Sequence, residues 1–489
     1  MKEEKPIILF ERKQSPVNPA TLGDCACGTV ELQFQTAAPL SERYDGQTSL
    51  WTLPELRWIP IDTKFSLAYS PFLPARSAVL NQAAITALES FATGRQPCTD
   101  ENDLVQNFLE TGLLYSPAED PHSQPAPFVA WLHLTGRCNL ACDYCYAPIS
   151  HHTMSIATGQ QAVRMVFQLA KERQASKIRL KFAGGEPLLN FNTMAAAHAY
   201  AGQLALANQQ DVESILITNG TLINPVHIDW LVANNVQVVV SMDGIEGAHD
   251  IQRHYKNHRR GSFGEVQHAI QSLIEAGCAP HVIITVTGRN VGKLTETITW
   301  LRQRNLSFAI NFYRRHTGSD QQPDLELDED TLIAELTRAF KQVDWSDCPY
   351  PLLNSLLDRV NLISPHQKPC GAGEGFLVVT PEGQLAACQM DIDHASGSVY
   401  DPMPERSFQR VTSHFANPAV DEKEDCASCP WKLACAGGCP DLTHRLTNNP
   451  YGPSTFCRVY RELIPEVLKL EGQRLLNRAV KYGMLEATD

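Results

Sequence analysis

Ten of the chain's 15 cysteines fall into two tight groups. Cys138, Cys142 and Cys145 form the first, at x3 and x2 spacing. Cys370, Cys388, Cys426, Cys429, Cys435, Cys439 and Cys457 form the second. A lone cysteine is most often a small buried apolar residue, and that reading suits Cys98 and Cys278. It does not explain ten clustered thiols. The N-terminal MKEEKPIILFERKQ has too short an apolar core for a signal peptide. We therefore expect the reducing cytoplasm, where thiol clusters bind metal more often than they form disulfides. Three thiolates suit a 4Fe-4S cluster with one iron left unligated, whereas a structural zinc site wants a fourth ligand. The nearby His133 lies within a strand pattern and is expected to be a pocket or core histidine.

Those thiols need elements to hold them. Strand-like runs occur at 128–134, 178–183, 214–218, 236–241, 281–287 and 307–313, with amphipathic helices between. One helix shows Val266, Ala269, Ile270, Leu273 and Ile274 on a face closed by Gly277. Six βα units predict a parallel sheet, either a partial barrel or a doubly wound sheet. In barrel-type sheets chemistry sits at the carboxyl ends of the strands. Here the first strand leads into the three-cysteine loop and the second into Gly184-Gly185-Glu186-Pro187. The others end at Thr218-Asn219-Gly220, Ser241-Met242-Asp243-Gly244, Thr285-Val286-Thr287 and Asn311-Phe312-Tyr313. Six polar or thiol clusters at equivalent places indicate one shared pocket. From about 365 the alternation stops, and the rest is loop-rich and thiol-rich, with a final helix predicted over 459–481. Upstream, 48–72 is strand-like. Asn81 then fits an N-cap, followed by a helix bearing Ile85, Leu88 and Phe91 and a second helix ended by Gly112. Residues 121–127 form a stiff proline linker.

The Cys138-x3-Cys142-x2-Cys145 loop, with Tyr144 before its last thiol and Gly-Gly-Glu-Pro after the next strand, resembles the radical S-adenosylmethionine (SAM) superfamily. The resemblance implies that SAM chelates the open iron, and that Tyr144 lies at the SAM site. Gly184 and Gly185 would let the backbone approach the methionyl amine, with Glu186 as acceptor. Ser241 and Arg253 would bind the carboxylate, and Thr218, Asn219 and Thr287 would line the nucleoside pocket. Simpler readings stand beside these: a surface helix arginine for Arg253, and turn or cap residues for the other three. The seven-cysteine pattern, with Gly383 between Cys370 and Cys388, resembles the SPASM domain and implies two auxiliary 4Fe-4S clusters. Cys426, Cys429, Cys435 and Cys457 would hold the outer cluster, and Cys370, Cys388 and Cys439 the inner one. The inner fourth position is either an open iron or Cys348 folded back. A pair of structural zinc ribbons is the alternative for this region. The run from Val79-Leu80-Asn81 through Leu104 to Gly112-Leu113-Leu114 resembles the winged-helix, PqqD-like domain that recognises precursor peptides. Such domains take up the leader as an extra strand.

The fold class expected is α/β, a partial (β/α)6 radical SAM barrel with an N-terminal winged-helix-like domain and a C-terminal cysteine-rich SPASM domain. The expected boundaries are an extension at 1–39 carrying Cys25 and Cys27, a PqqD-like domain at 40–120, the barrel at 126–350 and the SPASM domain at 365–489. The function implied is maturation of a ribosomally made peptide, with a 5′-deoxyadenosyl radical abstracting hydrogen to form a cross-link or another oxidative modification. Implied partners are a precursor peptide with its leader and a small electron donor such as flavodoxin or ferredoxin. The alternatives are a formylglycine-forming, anaerobic sulfatase-type maturase and a non-enzymatic iron–sulfur scaffold. In the sulfatase-type family an aspartate follows the second SPASM cysteine, whereas here Gln389 follows Cys388 and the first carboxylate is Asp391. The net charge of −13 disfavours broad binding to nucleic acid or anionic lipid. The basic run from Arg253 to Arg260 fits a solvated face. No apolar stretch approaches a membrane span.

Overall fold

In the N-terminal region, strands β3 (Arg57–Pro60), β4 (Phe65–Tyr69) and β5 (Ala78–Asn81) form an antiparallel meander, and β1 (Ile8–Leu9) adds to the edge of β5. A ribbon of β2 (Trp51–Thr52) and β6 (Leu114–Tyr115) flanks helices α1 (Gln82–Glu89) and α2 (Asn102–Thr111). Asn81 caps α1 by accepting from Ala84 N, as its position predicts, and Gly112 ends α2 at a φ of 74°. Period-two alternation gives the sheet two apolar faces. Ala68, Ala78 and Leu80 pack with α1 and α2, while Leu9, Phe65, Leu67, Tyr69 and Val79 face the main core.

This computed structural model describes residues 5–10, 49–71, 77–98, 101–116, 126–256, 260–316, 322–363 and 365–485. Cys25, Cys27, residues 257–259 of the basic run and most of the 121–127 linker lie outside the described residues.

The six predicted strands are β7 (Phe128–His133), β8 (Ile178–Ala183), β9 (Val212–Thr218), β10 (Gln237–Ser241), β11 (His281–Val286) and β12 (Phe308–Phe312). Helices α3 (Ile156–Glu172), α4 (Phe191–Asn208), α5 (Pro225–Ala233), α6 (Phe263–Glu275), α7 (Leu294–Arg302) and α8 (Glu329–Gln342) follow them in turn. All five contacts between these strands are parallel, and the strand order is sequential. A doubly wound sheet would reverse its order at a switch point, so the partial barrel is the architecture present. Toward the helices the strands bury Leu132, Leu180, Leu216, Val240, Ile284 and Ile310. The opposite positions carry Ile215, Val239 and Ile283 together with buried Arg179, Lys181 and His281.

The C-terminal part is not separate from this sheet. Strand β13 (Phe376–Val379) pairs in parallel with β7, from Phe376 opposite Val129 to Val379 opposite Leu132, and β14 (Leu385–Ala386) follows it. The sequence shows this stretch only as loop. Two further helices matter below, α9 (Pro440–Thr447) and α10 (Cys457–Lys481). Helix α10 covers the main-core face of the N-terminal sheet, where a Cβ on Gly472 would meet Ile61 Cδ1 at 2.4 Å. Its other side meets the barrel, with the Phe456 and Phe312 rings 5.0 Å apart. The buried Glu471–Arg474 pair of α10 also receives Leu352 N and donates to Cys348 O.

Candidate active site

The three-cysteine loop is fastened on both sides by backbone. Gly185 N donates to Thr135 O at 2.8 Å and Glu186 N to Arg137 O at 2.9 Å. On the other side Ala141 N donates to His254 O at 2.8 Å and Asp143 N to Gln252 O at 3.0 Å. A Cβ on Gly184 would lie 2.6 Å from Thr135 O, and one on Gly185 2.3 Å from Arg137 O. The glycine pair thus has a reason the sequence reading did not supply. The protein's own loop backbone needs the space, and Gly184 also takes a φ of +143°.

Two residues inside the loop are tied down by side chains. Asp143 meets His254 Nε2 at 3.1 Å and Arg289, which also reaches Asp324 at 2.6 Å. Tyr144 Oη donates to Asp243 Oδ2 at 2.6 Å and accepts from Arg253 Nη1. Asp243 accepts further bonds from Gln252 Nε2 and Thr285 N, both at 2.9 Å, and Gln252 Oε1 accepts from Thr287 Oγ1 at 2.6 Å. One polar network thus joins the thiol loop to the ends of β10 and β11. Sequence reasoning quoted Asp243 only as part of a turn and did not single out Gln252 or Asp143.

Arg253 is 6% exposed, which excludes the surface-helix reading. It lies 3.7 Å from Asp243, and its Nε is buried without a hydrogen-bond partner among the described residues. Such an orphan donor costs free energy unless an acceptor arrives. Glu186 is fully buried. It accepts from Leu188 N at 3.1 Å, from Thr218 Oγ1 at 2.8 Å and from Asn219 N at 2.8 Å. Burial raises its pKa, and those bonds oppose the rise. Asn219 Nδ2 donates to Asn139 Oδ1 at 2.9 Å and points at Cys138 Sγ from 3.8 Å. Thr218 and Thr287 both close turns, accepting from Gly220 N at 3.0 Å and Arg289 N at 3.1 Å. Ser241 ends β10 opposite Ile283, half-buried.

Burial pushes the Cys142 thiol up to about 12 and raises those of Cys138 and Cys145, with Arg253 opposing the rise at all three. Free thiolates are therefore unfavourable here, and coordination to a cation is what would favour them. Three thiols with an unpartnered arginine donor fit a cluster that carries an anionic ligand. Among the described residues no three His, Cys, Asp or Glu side chains converge as they would round a single metal ion.

Within the second thiol set the near neighbours differ from one thiol to the next. The strongest electrostatic neighbours of the Cys388 thiol are Asp441, Cys370 and Cys439. Cys435 neighbours Cys429, Cys426 and Cys457. Buried Lys423 lies beside both sets, near Cys426, Cys435, Cys439 and Cys370, and donates to Gly437 O at 3.0 Å. Asp441, in the first turn of α9, is held by Arg445 at 2.9 Å, and Arg445 also donates to Met390 O at 2.7 Å. A single lysine or aspartate gives no spacing signal, so neither was found from sequence. Cys348 lies elsewhere. Its Sγ donates to Tyr350 O at 3.3 Å, in the core with Trp345 and Leu352. His133 is buried and lowered to about 4 by desolvation, as a core histidine should be. The buried reading fails for Cys98, which is exposed in the loop after α1, whereas Cys278, after the helix-ending Gly277, is half-buried and packs against the main core.

Residues 132–301 match the family model described as the radical SAM superfamily. An uncharacterized protein of Methanocaldococcus jannaschii is 31% identical over 263 residues, 53% of this chain and 83% of that one. The chain belongs to the radical SAM superfamily. Members of this superfamily are enzymes, and membership implies a 4Fe-4S cluster and SAM. The antilisterial bacteriocin subtilosin biosynthesis protein AlbA of Bacillus subtilis is 23% identical over 367 residues, 71% of this chain and 74% of AlbA. A solved structure of native anSMEcpe with bound AdoMet and Cp18Cys peptide has a TM-score of 0.55 at 19% identity, covering 73% of this chain and 99% of that one. That likeness shows a shared fold. Among the described residues no helix is long and apolar enough to cross a membrane.

Proposed function

We propose that this radical SAM enzyme matures a ribosomally made peptide, and that its C-terminal part is a SPASM domain with two auxiliary 4Fe-4S clusters. The observation that carries this reading is the second thiol set, divided into groups of three and four. One of its strands, β13, is hydrogen-bonded to the strand that launches the three-cysteine loop. An oxidised peptide product needs an electron sink close to the radical site, and this arrangement offers one. Subtilosin biosynthesis by AlbA supports a peptide substrate.

Bound at Cys138, Cys142 and Cys145, a 4Fe-4S cluster with SAM would supply a radical able to take hydrogen from an unactivated carbon. The chain's own residues would do the rest. Arg253 Nε offers its free donor to a carboxylate, and Ser241, at the end of β10, would add its hydroxyl. Glu186, Thr218 and Asn219 hold the turn that presents Gly184 and Gly185. Asp243 fixes Tyr144, and Thr287 fixes Gln252 beneath it. Cys370, Cys388 and Cys439 would hold the inner auxiliary cluster, and Cys426, Cys429, Cys435 and Cys457 the outer. The region 40–120 would receive the leader, and a flavodoxin or ferredoxin would deliver electrons.

One observation favours a second reading, the formylglycine-forming maturase. Asp441 stands beside Cys388 and offers a mostly enclosed carboxylate although Gln389 follows the cysteine. Two measurements decide. Anaerobically reconstituted protein should hold about twelve irons on thiolate ligation and cleave SAM reductively. Replacing Cys138, Cys142 and Cys145 together by Ala should remove about four irons and abolish cleavage. A protein that holds only zinc and leaves SAM intact refutes both readings. Mass spectrometry after co-expression with a neighbouring short reading frame, against a cysteine-containing sulfatase peptide, separates them.

A further inference from the structure

The edge of the N-terminal sheet at which an extra strand can pair is occupied by the chain itself. Ile8 pairs with Leu80 and Leu9 with Val79, antiparallel, and Asn81 N donates to Ile7 O at 3.2 Å. The Asn81 side chain grips the same segment. Its Oδ1 accepts from Ile7 N at 2.9 Å and its Nδ2 donates to Lys5 O at 2.8 Å. Side chains alternate between two cores. Ile7 and Leu9 pack into the main core, while Ile8 and Phe10 pack against the cluster of α1 and α2. Every polar contact named here is to the segment's backbone, so the edge reads strand geometry and apolar alternation rather than a particular polar side chain.

The opposite edge is a poor alternative. Strand β3 ends in Pro60, which has no N–H to donate, and its Arg57 lies 5.7 Å over the Trp431 ring. An incoming strand is therefore directed to β5, where it meets β1, a strand of two residues.

We propose that Lys5–Phe10 is a built-in occupant of the leader-binding edge, and that a precursor leader binds by displacing it. This rests on the maturase reading. The leader would pair antiparallel to β5 and carry consecutive apolar residues that alternate between the two cores. Joined covalently to the edge it covers, the segment competes with an incoming leader as an intramolecular ligand. The intact enzyme therefore binds leaders more weakly than its edge alone allows.

The test uses a fluorescently labelled synthetic peptide of residues 4–11 and the reconstituted enzyme, full-length or lacking residues 1–10. The shortened enzyme should bind the peptide at least tenfold more tightly than the full chain. It should not bind the same peptide with Asp at the positions of Ile8 and Leu9. Equal binding by both enzymes, or none by the shortened one, overturns the proposal. If the shortened chain does not fold, full-length Leu9→Ser loosens β1 in place and should gain peptide binding, and no gain also overturns it. The binding measurement needs neither SAM nor precursor. Its failure leaves the maturase reading standing, and a chain that binds the peptide but never cleaves SAM refutes that reading and, with it, a precursor leader as the displacing strand.

Discussion

Gly185→Ala isolates the contact that sets the thiol loop. The new methyl would lie 2.3 Å from Arg137 O, 2.6 Å from Arg137 C and 3.1 Å from Cys138 N. All three are backbone atoms, so no side chain can swing aside. Ordinary contact begins near 3.4 Å, so the loop or the turn must move by about 1 Å. The bonds from Gly185 N to Thr135 O and from Glu186 N to Arg137 O transmit that shift to Cys138. A misplacement of about 1 Å in an active site costs on the order of a hundredfold in rate. The overpacking itself costs about 1–3 kcal/mol of stability. The assay is 5′-deoxyadenosine formation by the dithionite-reduced enzyme, with iron content and a urea midpoint measured alongside. Gly202→Ala serves as the control. It lies within α4 with nothing within 4 Å of its would-be Cβ, so it should leave the rate unchanged and add up to about 1 kcal/mol. If Gly185→Ala keeps full iron content and a rate within threefold of the parent, the turn does not hold the loop.

Cys348→Ala should leave iron content and the inner-cluster spectrum unchanged while lowering stability by about 1 kcal/mol, because the thiol fills core rather than binding iron. A changed spectrum would restore it as the fourth ligand. Lys423→Gln removes a buried positive charge beside both auxiliary thiol sets, which favours their reduced forms. Both potentials should fall by on the order of tens of millivolts in an EPR-monitored titration, and unchanged potentials would exclude the role. Buried His133 and His281 have pKa values lowered to about 4 and about 3. Since the unfolded chain takes up these protons first, stability is intact above about pH 6.5 and falls as the pH drops toward 4. The loss at pH 5 is roughly 2 kcal/mol for each histidine. His281→Gln should flatten that fall in urea midpoints between pH 7.5 and 5, and a slope unchanged from the parent would refute the assignment.

The barrel was legible because its six strands are short, largely apolar runs, each closed by a polar or thiol cluster. β1, β13 and β14 were not, since two to four residues give no periodicity, and β1 and β13 also pair with strands distant in sequence. Residue type and spacing identified Arg253. Its burial was hidden, because its neighbours His254, Lys256 and Arg260 suggest a solvated face. The link from Tyr144 to Asp243 spans 99 residues and follows only from the sheet bringing strand ends together. The glycine pair was found by motif, but its physical reason depends on where the Thr135–Cys138 backbone passes.

The pairing of β7 with β13 also bears on how the chain is made. All six residues of β7 are buried, and one flank is filled by a strand that leaves the ribosome about 250 residues later. At roughly 5–20 residues per second, that flank stays open for about 12 to 50 s of synthesis. An unpaired apolar edge is a template for pairing with another chain. Crowded nascent chains on one message would therefore tend to aggregate through β7, and slower initiation should raise the soluble yield more than slower elongation does. Expressing residues 126–350 alone would leave that flank open permanently.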